Sequence, residues 1–256
     1  MKKMVLMILA TPFFFAPTLV SAQSFEFPVE LQRTLKNSRG TLIITPEQIE
    51  YKATEPKDSK DSRTWRYVDI RQIKVAAPTI LEIATYEDAK RLLGRDRVFT
   101  FRLLEGEVTP EISALLMEKA TRPVVTSVMP ATEGEPVFEI PVKHLHTLGG
   151  CEGVLRIYPD RVTYESTTKP SDSRYWRYAD IQSFGWPTRF RFEITTYENK
   201  TGGPTRTFNF ELKEDFPALA YDYLWLRTNP SGFYPYDERV PPPEGPLMPS
   251  RRPVVQ

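Results

Sequence analysis

The sequence is poor in the side chains that most enzyme mechanisms use: it has one cysteine, Cys151, and two histidines among 256 residues. General acid–base catalysis and thiol catalysis depend mainly on these residue types. A lone cysteine also excludes an internal disulfide, so the fold must rest on packing. The chain contains no nucleophile elbow, no HExxH pair and no Walker loop. We therefore predict no catalytic residue, no metal site and no cofactor.

An excess of charge of either sign is also missing, because 34 Lys and Arg residues stand against 33 Asp and Glu residues. Proteins that bind nucleic acid or anionic membranes through their overall charge are strongly basic. The balance therefore argues against a nucleic-acid partner and against an anionic membrane surface as a partner.

The N-terminus has the three parts of a secretory signal peptide. Two lysines form the positive region, residues 4–20 carry no charge, and Ala22 ends a segment suited to signal peptidase. A membrane anchor is the alternative, but the apolar run is short for a spanning helix and two prolines interrupt it. We predict a signal peptide over residues 1–22, no transmembrane segment after its cleavage, and a periplasmic or secreted mature chain.

The rest of the chain contains an internal repeat. Residues 61–70 read DSRTWRYVDI and residues 172–181 read DSRYWRYADI, with eight of ten positions identical. The similarity extends to LEIATYE and FEITTYE further along, and the offset between the copies drifts from 113 to 111 to 109 residues. The small deletions fall in polar loops, as expected of a duplicated module.

Each copy reads as a series of short strands followed by one helix. Apolar residues alternate with polar ones at Phe27, Val29 and Leu31, which is the period of a strand with one buried face. In the first copy Thr109, which precedes a proline, is suited to begin a helix. In the second copy Asp215 is the matching N-cap candidate.

These patterns divide the mature chain into four segments. We predict module 1 over residues 25–121, a linker over 122–138 and module 2 over 139–229. The tail over residues 230–256 is rich in proline. Such a composition favours an extended, solvated chain, so we predict that the tail is disordered.

The modules resemble the pleckstrin-homology-like (PH-like) superfold, in its GRAM-type or bacterial variants. The resemblance is carried by Gly40–Pro46 with Gly153–Pro159, by Tyr67–Ile70 with Tyr178–Ile181, and by the closing helix. It implies a mainly β fold class with two tandem PH-like modules. Each module would have about seven antiparallel strands in a partly open barrel closed by a C-terminal helix.

The resemblance also directs attention to the first hairpin of each module. Phosphoinositide binders of this family carry a basic cluster there, and Lys36 and Arg39 occupy that place in module 1. We keep these two residues as binding candidates. Residues 149–152 of module 2 lack the cluster, and an exported protein would not meet cytosolic phosphoinositides. The lipid function therefore does not carry over.

The two histidines, His144 and His146, are also binding candidates. Alternate side chains of a strand point to the same face, so the two imidazoles form a potential metal pair. No third ligand is visible at a useful spacing, and the matching positions in module 1 are Leu31 and Arg33. We therefore predict one semi-buried and one exposed histidine.

The repeated WRY segments have two interpretations. Tryptophan and tyrosine interleaved with arginine could stack a base or a sugar. Residues two apart on a strand also share a face, so the aromatic side chains can pack inward while arginine points away. We predict the structural role for the six repeated residues Trp65, Tyr67, Asp69, Trp176, Tyr178 and Asp180.

Together these features predict a non-enzymatic exported binding or scaffold protein. Its partner would be a protein or peptide of the cell envelope, recognised on a sheet edge, in a groove beside a helix or between the modules. The alternative is a hydrolase-like enzyme that acts on envelope material at a site between the modules. Residues shared by both copies serve the common fold, so function is expected where the copies differ.

Overall fold

A computed structural model describes residues 23–89, 96–131, 133–199 and 203–229. The predicted signal peptide, residues 1–22, and the predicted proline-rich tail, residues 230–256, lie outside this part of the chain. Within it, no helix has the length and apolar character needed to cross a membrane.

Module 1 forms one eight-stranded sheet and one helix. Its strands are hydrogen-bonded in the order β4-β3-β2-β1-β7-β6-β5-β8. All neighbours are antiparallel except β5 and β8. The elements are β1 (Phe25–Gln32), β2 (Ser38–Ile44), β3 (Gln48–Ala53), β4 (Arg63–Arg66), β5 (Ile70–Ala77), β6 (Ile80–Asp88), β7 (Asp96–Leu103), α1 (Pro110–Lys119) and β8 (Val124–Thr126).

Module 2 repeats this design with seven strands in the order β12-β11-β10-β9-β15-β14-β13, all antiparallel. The fold-class prediction is therefore confirmed: the chain is mainly β, with two tandem modules in which one helix follows the antiparallel strands. Among the described residues, neither sheet closes on itself. The elements are β9 (Phe138–Leu145), β10 (Gly150–Ile157), β11 (Arg161–Ser166), β12 (Arg174–Arg177), β13 (Ile181–Thr188), β14 (Arg191–Thr196), β15 (Arg206–Leu212) and α2 (Ala218–Thr228).

One glycine recurs at the same place in each copy because the second and third strands of the module pack tightly there. Gly40 in β2 and Gly153 in β10 each lie against a backbone carbonyl and a tyrosine ring of the next strand. A Cβ atom at either position would collide with both groups. The tyrosine rings, Tyr51 and Tyr164, are fully buried at these contacts, so the glycines make room for two of the largest core side chains.

The segment predicted to be a linker contributes a strand to module 1. β8 pairs in parallel with β5, with Val124 opposite Ile73 and Thr126 opposite Val75. All three β8 residues are buried. The strand has three residues, which is too short to show an apolar period. Its partner β5 lies about fifty residues earlier in the chain, so the pairing leaves no local pattern in the sequence either.

The helix starts agree with the sequence in module 1 only. The Oγ1 atom of Thr109 accepts a hydrogen bond from the backbone N–H of Ile112, as predicted for an N-cap. In module 2 the N-cap is Pro217, and the prediction of Asp215 is wrong. The carboxylate of Asp215 instead forms two hydrogen bonds with Arg189, at 2.6 and 2.7 Å.

The repeated tryptophans lie in the cores of their modules. Trp65 is 4% exposed and Trp176 is 1% exposed. The ring centroid of each lies 4.9 Å from a phenylalanine of the strand that precedes the helix, Phe99 in β7 and Phe208 in β15. Trp176 also donates its indole N–H to Glu198 at 2.9 Å. The structure therefore gives both indoles a packing role.

The repeated tyrosine of each module donates a hydrogen bond to a backbone carbonyl at a turn. Tyr67 donates its hydroxyl to the carbonyl of Thr45 at 2.7 Å, and Tyr178 donates to the carbonyl of Tyr158 at 2.6 Å. Burial is the main cause that raises the pKa of both hydroxyls, so they remain hydrogen-bond donors at neutral pH.

We expect Trp65→Ala and Trp176→Ala each to lower the free energy of unfolding by ~3–5 kcal/mol, because each leaves a cavity in a packed core. The loss should be larger for Trp176→Ala, which also removes the donor to the buried Glu198. Denaturant melts of the purified chain would measure both. Trp225→Ala, at an exposed helix position, is the control and should change stability little. A core variant with wild-type stability would contradict this assignment.

Candidate functional site

The first hairpin of module 2 brings both histidines to the only cysteine of the chain. In the register of β9 and β10, Cys151 lies directly opposite His144. His146 directly follows the end of β9, and its backbone N–H donates a hydrogen bond to the carbonyl of Gly149 at 3.1 Å. Asp172 reaches the same place from a single-turn 3-10 helix, Pro170–Asp172, that precedes β12.

Three atoms that could act as metal ligands converge there. The Nε2 atom of His146 lies 3.3 Å from the Sγ atom of Cys151 and 3.4 Å from the Oδ2 atom of Asp172. The Cys151 Sγ to Asp172 Oδ2 distance is 3.1 Å. The three atoms form a nearly equilateral triangle. Cys151 is buried, whereas the side chain of His146 is 30% exposed. We call these three residues the HCD cluster.

Hydrogen bonds within the HCD cluster set its charge. The carboxylate of Asp172 accepts from the Cys151 thiol, and this bond raises the pKa of that thiol. Burial acts to raise the pKa of Asp172, but the donors Cys151 and Lys169 outweigh it, so the pKa is lowered. Asp172 is therefore ionised and Cys151 is a neutral thiol at pH 7.

This geometry does not match a Cys–His–Asp catalytic triad. In a triad, the acid orients one imidazole nitrogen and the other nitrogen activates the nucleophile. Here the same nitrogen of His146 faces both Cys151 and Asp172, and the carboxylate stabilises the protonated thiol. A protonated thiol is a poor nucleophile.

His144 lies behind the HCD cluster in the core. Its ring centroid is 4.5 Å from that of His146 and 5.3–5.5 Å from three further aromatic rings. Burial is the main cause that lowers its pKa to about 4, followed by electrostatic repulsion from His146, Arg174 and Arg206. Its Nδ1 atom has no hydrogen-bond partner among the described residues. His144 is thus a neutral core residue at pH 7.

Two members of the HCD cluster, Cys151 and Asp172, were not predicted from the sequence. The prediction of one semi-buried and one exposed histidine omitted them because the third ligand comes from the repeated DSR segment. One feature of the sequence could have indicated them. Module 1 has Ser38 where module 2 has Cys151, and this difference lies between the strand that carries the two histidines and the repeated aspartate.

Module 1 has a different group at the same place. The counterparts of His146, Cys151 and Asp172 are Arg33, Ser38 and Asp61, by the repeat offsets. Arg33 forms salt bridges with Asp61 and Asp58. Ser38 is fully buried, and its Oγ atom accepts a hydrogen bond from Tyr51 at 2.9 Å. The aspartate is common to both modules, but in module 1 a guanidinium neutralises it.

The basic candidates of the first hairpin of module 1 lie among carboxylates. The side chain of Arg39 is exposed and lies 3.9 Å from Glu30, which also pairs with Arg102. Lys36 lines a shallow, open depression over residues 33–36, and its carbonyl accepts a hydrogen bond from Arg33. The two cations do not form an isolated positive patch, because Glu30 offsets Arg39, and the charges of both cations act on the nearby Glu55, which itself pairs with Lys57.

Arg177 of the second WRY segment joins the two modules. Its guanidinium donates to the carbonyls of Met117 and Ala120, each at 2.7 Å, and to that of Arg122 at 3.0 Å. These carbonyls lie at and beyond the end of α1, where a cation is favoured. The same guanidinium forms two hydrogen bonds with Asp180, at 2.7 and 2.8 Å.

Further contacts support this junction. Tyr175 packs into the core of module 1. The backbone N–H of Asn199 donates to the Oε1 atom of Gln72 at 2.6 Å. The guanidinium of Arg71 donates to the Oδ1 atom of Asn199 at 3.3 Å. In module 1 the counterpart pair, Arg66 and Asp69, is exposed and binds only to itself among the described residues. The repeated pair therefore has a docking role in module 2 alone.

The outer edge of module 2 differs most from its counterpart. In module 1, β5 is covered by β8, whereas β13 is the last strand of its sheet among the described residues. The residues of β13 are correspondingly more exposed than those of β5. Trp186 in β13 is 37% exposed, and Trp225 in α2 is 54% exposed. The ring centroid of Phe184, also in β13, lies 6.4 Å from that of Trp225, and that of Trp186 lies 5.7 Å from Phe216.

Comparison with known proteins adds little to this description. No family model matches the chain, and no curated protein matches it. A solved structure of the C-terminal domain of an unknown protein from Leishmania infantum is 16% identical, with 37% of this chain and 84% of that chain covered and a TM-score of 0.29. The Spt16D Pob3N heterodimer structure is 10% identical, with coverages of 70% and 86% and a TM-score of 0.29. These scores support no functional statement.

We expect Arg177→Ala to lower the free energy of unfolding by ~2–4 kcal/mol, because it leaves Asp180 buried without its cation and removes the donor to three carbonyls. Arg66→Ala is the matched control. It removes the same residue of the repeat at an exposed site and should leave the melting curve unchanged within error. Equal effects of the two substitutions would contradict a docking role for Arg177.

Proposed function

We propose that this protein is an exported, non-enzymatic binding protein that recognises an extended segment of a protein or peptide partner in the cell envelope. The partner segment would add a strand to the free edge of β13 in module 2. The observation that supports this proposal is the difference between the two sheets, because β5 carries a parallel neighbour and β13 has none among the described residues.

β8 of module 1 is an internal example of the bound strand. It lies parallel to β5, and the N–H of Ser127 donates to the carbonyl of Val75 at 3.0 Å. Its buried residues are Val124, Val125 and Thr126, which are β-branched and well suited to a strand. A partner segment with this character would reproduce the same hydrogen bonds on β13.

The surroundings of β13 favour an apolar segment. By the repeat offset, Trp186 stands where module 1 has Val75, and Phe184 stands where it has Ile73. Trp186 in β13 and Trp225 in α2, a helix that contacts β13, are exposed, and exposed aromatic side chains are common anchors at protein interfaces. An open strand edge beside them offers backbone donors and acceptors, which give affinity in strand addition.

A peptide with the chain's own sequence over residues 122–128 tests this proposal directly. We expect it to bind the full-length mature protein saturably and to shift tryptophan emission to the blue, because Trp186 becomes buried. The matched control peptide has proline in place of Val125, which removes one N–H of the incoming strand, and should bind much more weakly. Calorimetric titration would give both affinities.

Two outcomes of this titration would contradict the proposal. Equal binding of both peptides would show that strand addition is not the mode of contact. Binding only to a chain truncated after Asn229, and not to the full-length chain, would show that the protein's own tail covers β13 and that no partner is needed.

Export is the second part of the proposal and rests on the first 22 residues. The positive start, the uncharged run over residues 4–20 and the segment ending at Ala22 support it. Intact-mass analysis of protein recovered from a periplasmic or secreted fraction should give a chain that begins at Gln23. A full-length product that stays in the cytosol would contradict export.

A further inference from the structure

We propose that His146, Cys151 and Asp172 form a binding site for one zinc-type divalent cation, with one coordination position left open. The first support is the spacing of the donor atoms. Zinc bonds of about 2.0–2.3 Å at tetrahedral angles place nitrogen, sulfur and oxygen ligands roughly 3.3–3.6 Å apart. The HCD cluster has separations of 3.1, 3.3 and 3.4 Å, so a cation fits with small side-chain shifts.

The second support is the chemistry of the ligands. Thiolate and imidazole favour zinc and its softer neighbours, whereas magnesium and calcium prefer oxygen ligands alone. As the Sγ–metal bond forms, the thiol of Cys151 loses its proton to solvent. The thiolate and the Asp172 carboxylate then balance the two positive charges of the cation, and the imidazole of His146 coordinates through neutral Nε2.

The third support is that the ligands are already held in place. The backbone of Cys151 lies within the β9–β10 ladder, and its carbonyl accepts a hydrogen bond from Tyr164 at 2.6 Å. The turn that carries Asp172 is closed by a hydrogen bond from its N–H to the carbonyl of Lys169 at 2.9 Å. Binding would therefore require little ordering of the protein, which favours affinity.

Module 1 shows what the cation would replace. There the repeated aspartate, Asp61, is neutralised by the guanidinium of Arg33. In module 2 the shorter His146 stands in place of Arg33, and Cys151 adds a sulfur ligand. The exposed ammonium of Lys169 lies 3.1 Å from Asp172. It can turn into solvent when the metal takes its place, because exposed ion pairs contribute little.

The cluster has three protein ligands and a partly exposed face at His146. Three protein ligands with a fourth position for water or another molecule are the arrangement of reactive zinc sites, whereas structural sites are closed by four. The geometry therefore points to a site at which an external ligand can reach the metal.

Titration of the reduced full-length protein with Co²⁺ tests this inference, because cobalt reports its own ligands by absorption. We expect one equivalent to bind, with a thiolate-to-cobalt charge-transfer band and the intense visible bands of a tetrahedral ion, and Zn²⁺ to displace it. Cys151→Ser should abolish the charge-transfer band. His146→Ala and Asp172→Asn should each weaken binding at least tenfold, and Lys169→Gln should bind at least as tightly as the wild type.

Module 1 supplies a gain-of-site control. The double substitution Arg33→His and Ser38→Cys places the same ligand set beside Asp61, and a folded double variant should bind a second equivalent with the same spectrum. Thermal melts distinguish loss of cobalt binding from loss of the fold. If the other variants unfold, the nearly isosteric Cys151→Ser variant still tests whether the charge-transfer band depends on the sulfur of Cys151. No charge-transfer band in the wild type, or the same band in Cys151→Ser, would overturn the inference.

Discussion

The backbone of the last strand in a sheet must pair, be covered or meet water, and the two modules satisfy this constraint differently. Module 1 uses the chain that follows its helix, because β8 returns to pair with β5. The chain that follows α2 lies outside the described residues, and β13 presents its edge beside exposed aromatic side chains. The equivalent strand edge is therefore paired in module 1 and unpaired in module 2 among the described residues, and an unpaired edge is what the proposed addition of a partner strand requires.

The HCD cluster is a second difference between equivalent positions of the two modules. Both modules keep an aspartate at the start of the repeated DSR segment, and this aspartate needs a positive partner near the first hairpin. Module 1 supplies Arg33, whereas in module 2 the exposed Lys169 pairs with Asp172, and His146 and Cys151 complete a set of ligands that suits a metal ion. Arg177 follows the same principle, since a repeated arginine became a docking group in the copy that contacts α1. Each of these differences thus lies on a frame of buried tryptophan, tyrosine and glycine that the two copies share.

The sequence was enough to predict this frame but not the sites. The repeat, the strand and helix order and the inward tryptophans follow from local patterns of a few residues. β8, Cys151 with Asp172, and Arg177 depend on contacts between segments that are distant in sequence, where periodicity carries no information. Asp215 was misplaced because Arg189 offers it an ion pair that competes with capping. The candidate sites therefore become apparent only where equivalent positions of the two folded copies differ in their contacts.

Hydrogen exchange of backbone amides in the free, mature protein tests the central claim that the equivalent edges differ. In a parallel ladder the residue that accepts from the neighbouring strand also donates to it, so the amide of Val75 should be protected by β8. The amide of its counterpart Trp186 should exchange faster by orders of magnitude, because no described strand covers it. Strong protection of both amides would contradict the account, since it would show that the edge of β13 is already closed in the free chain.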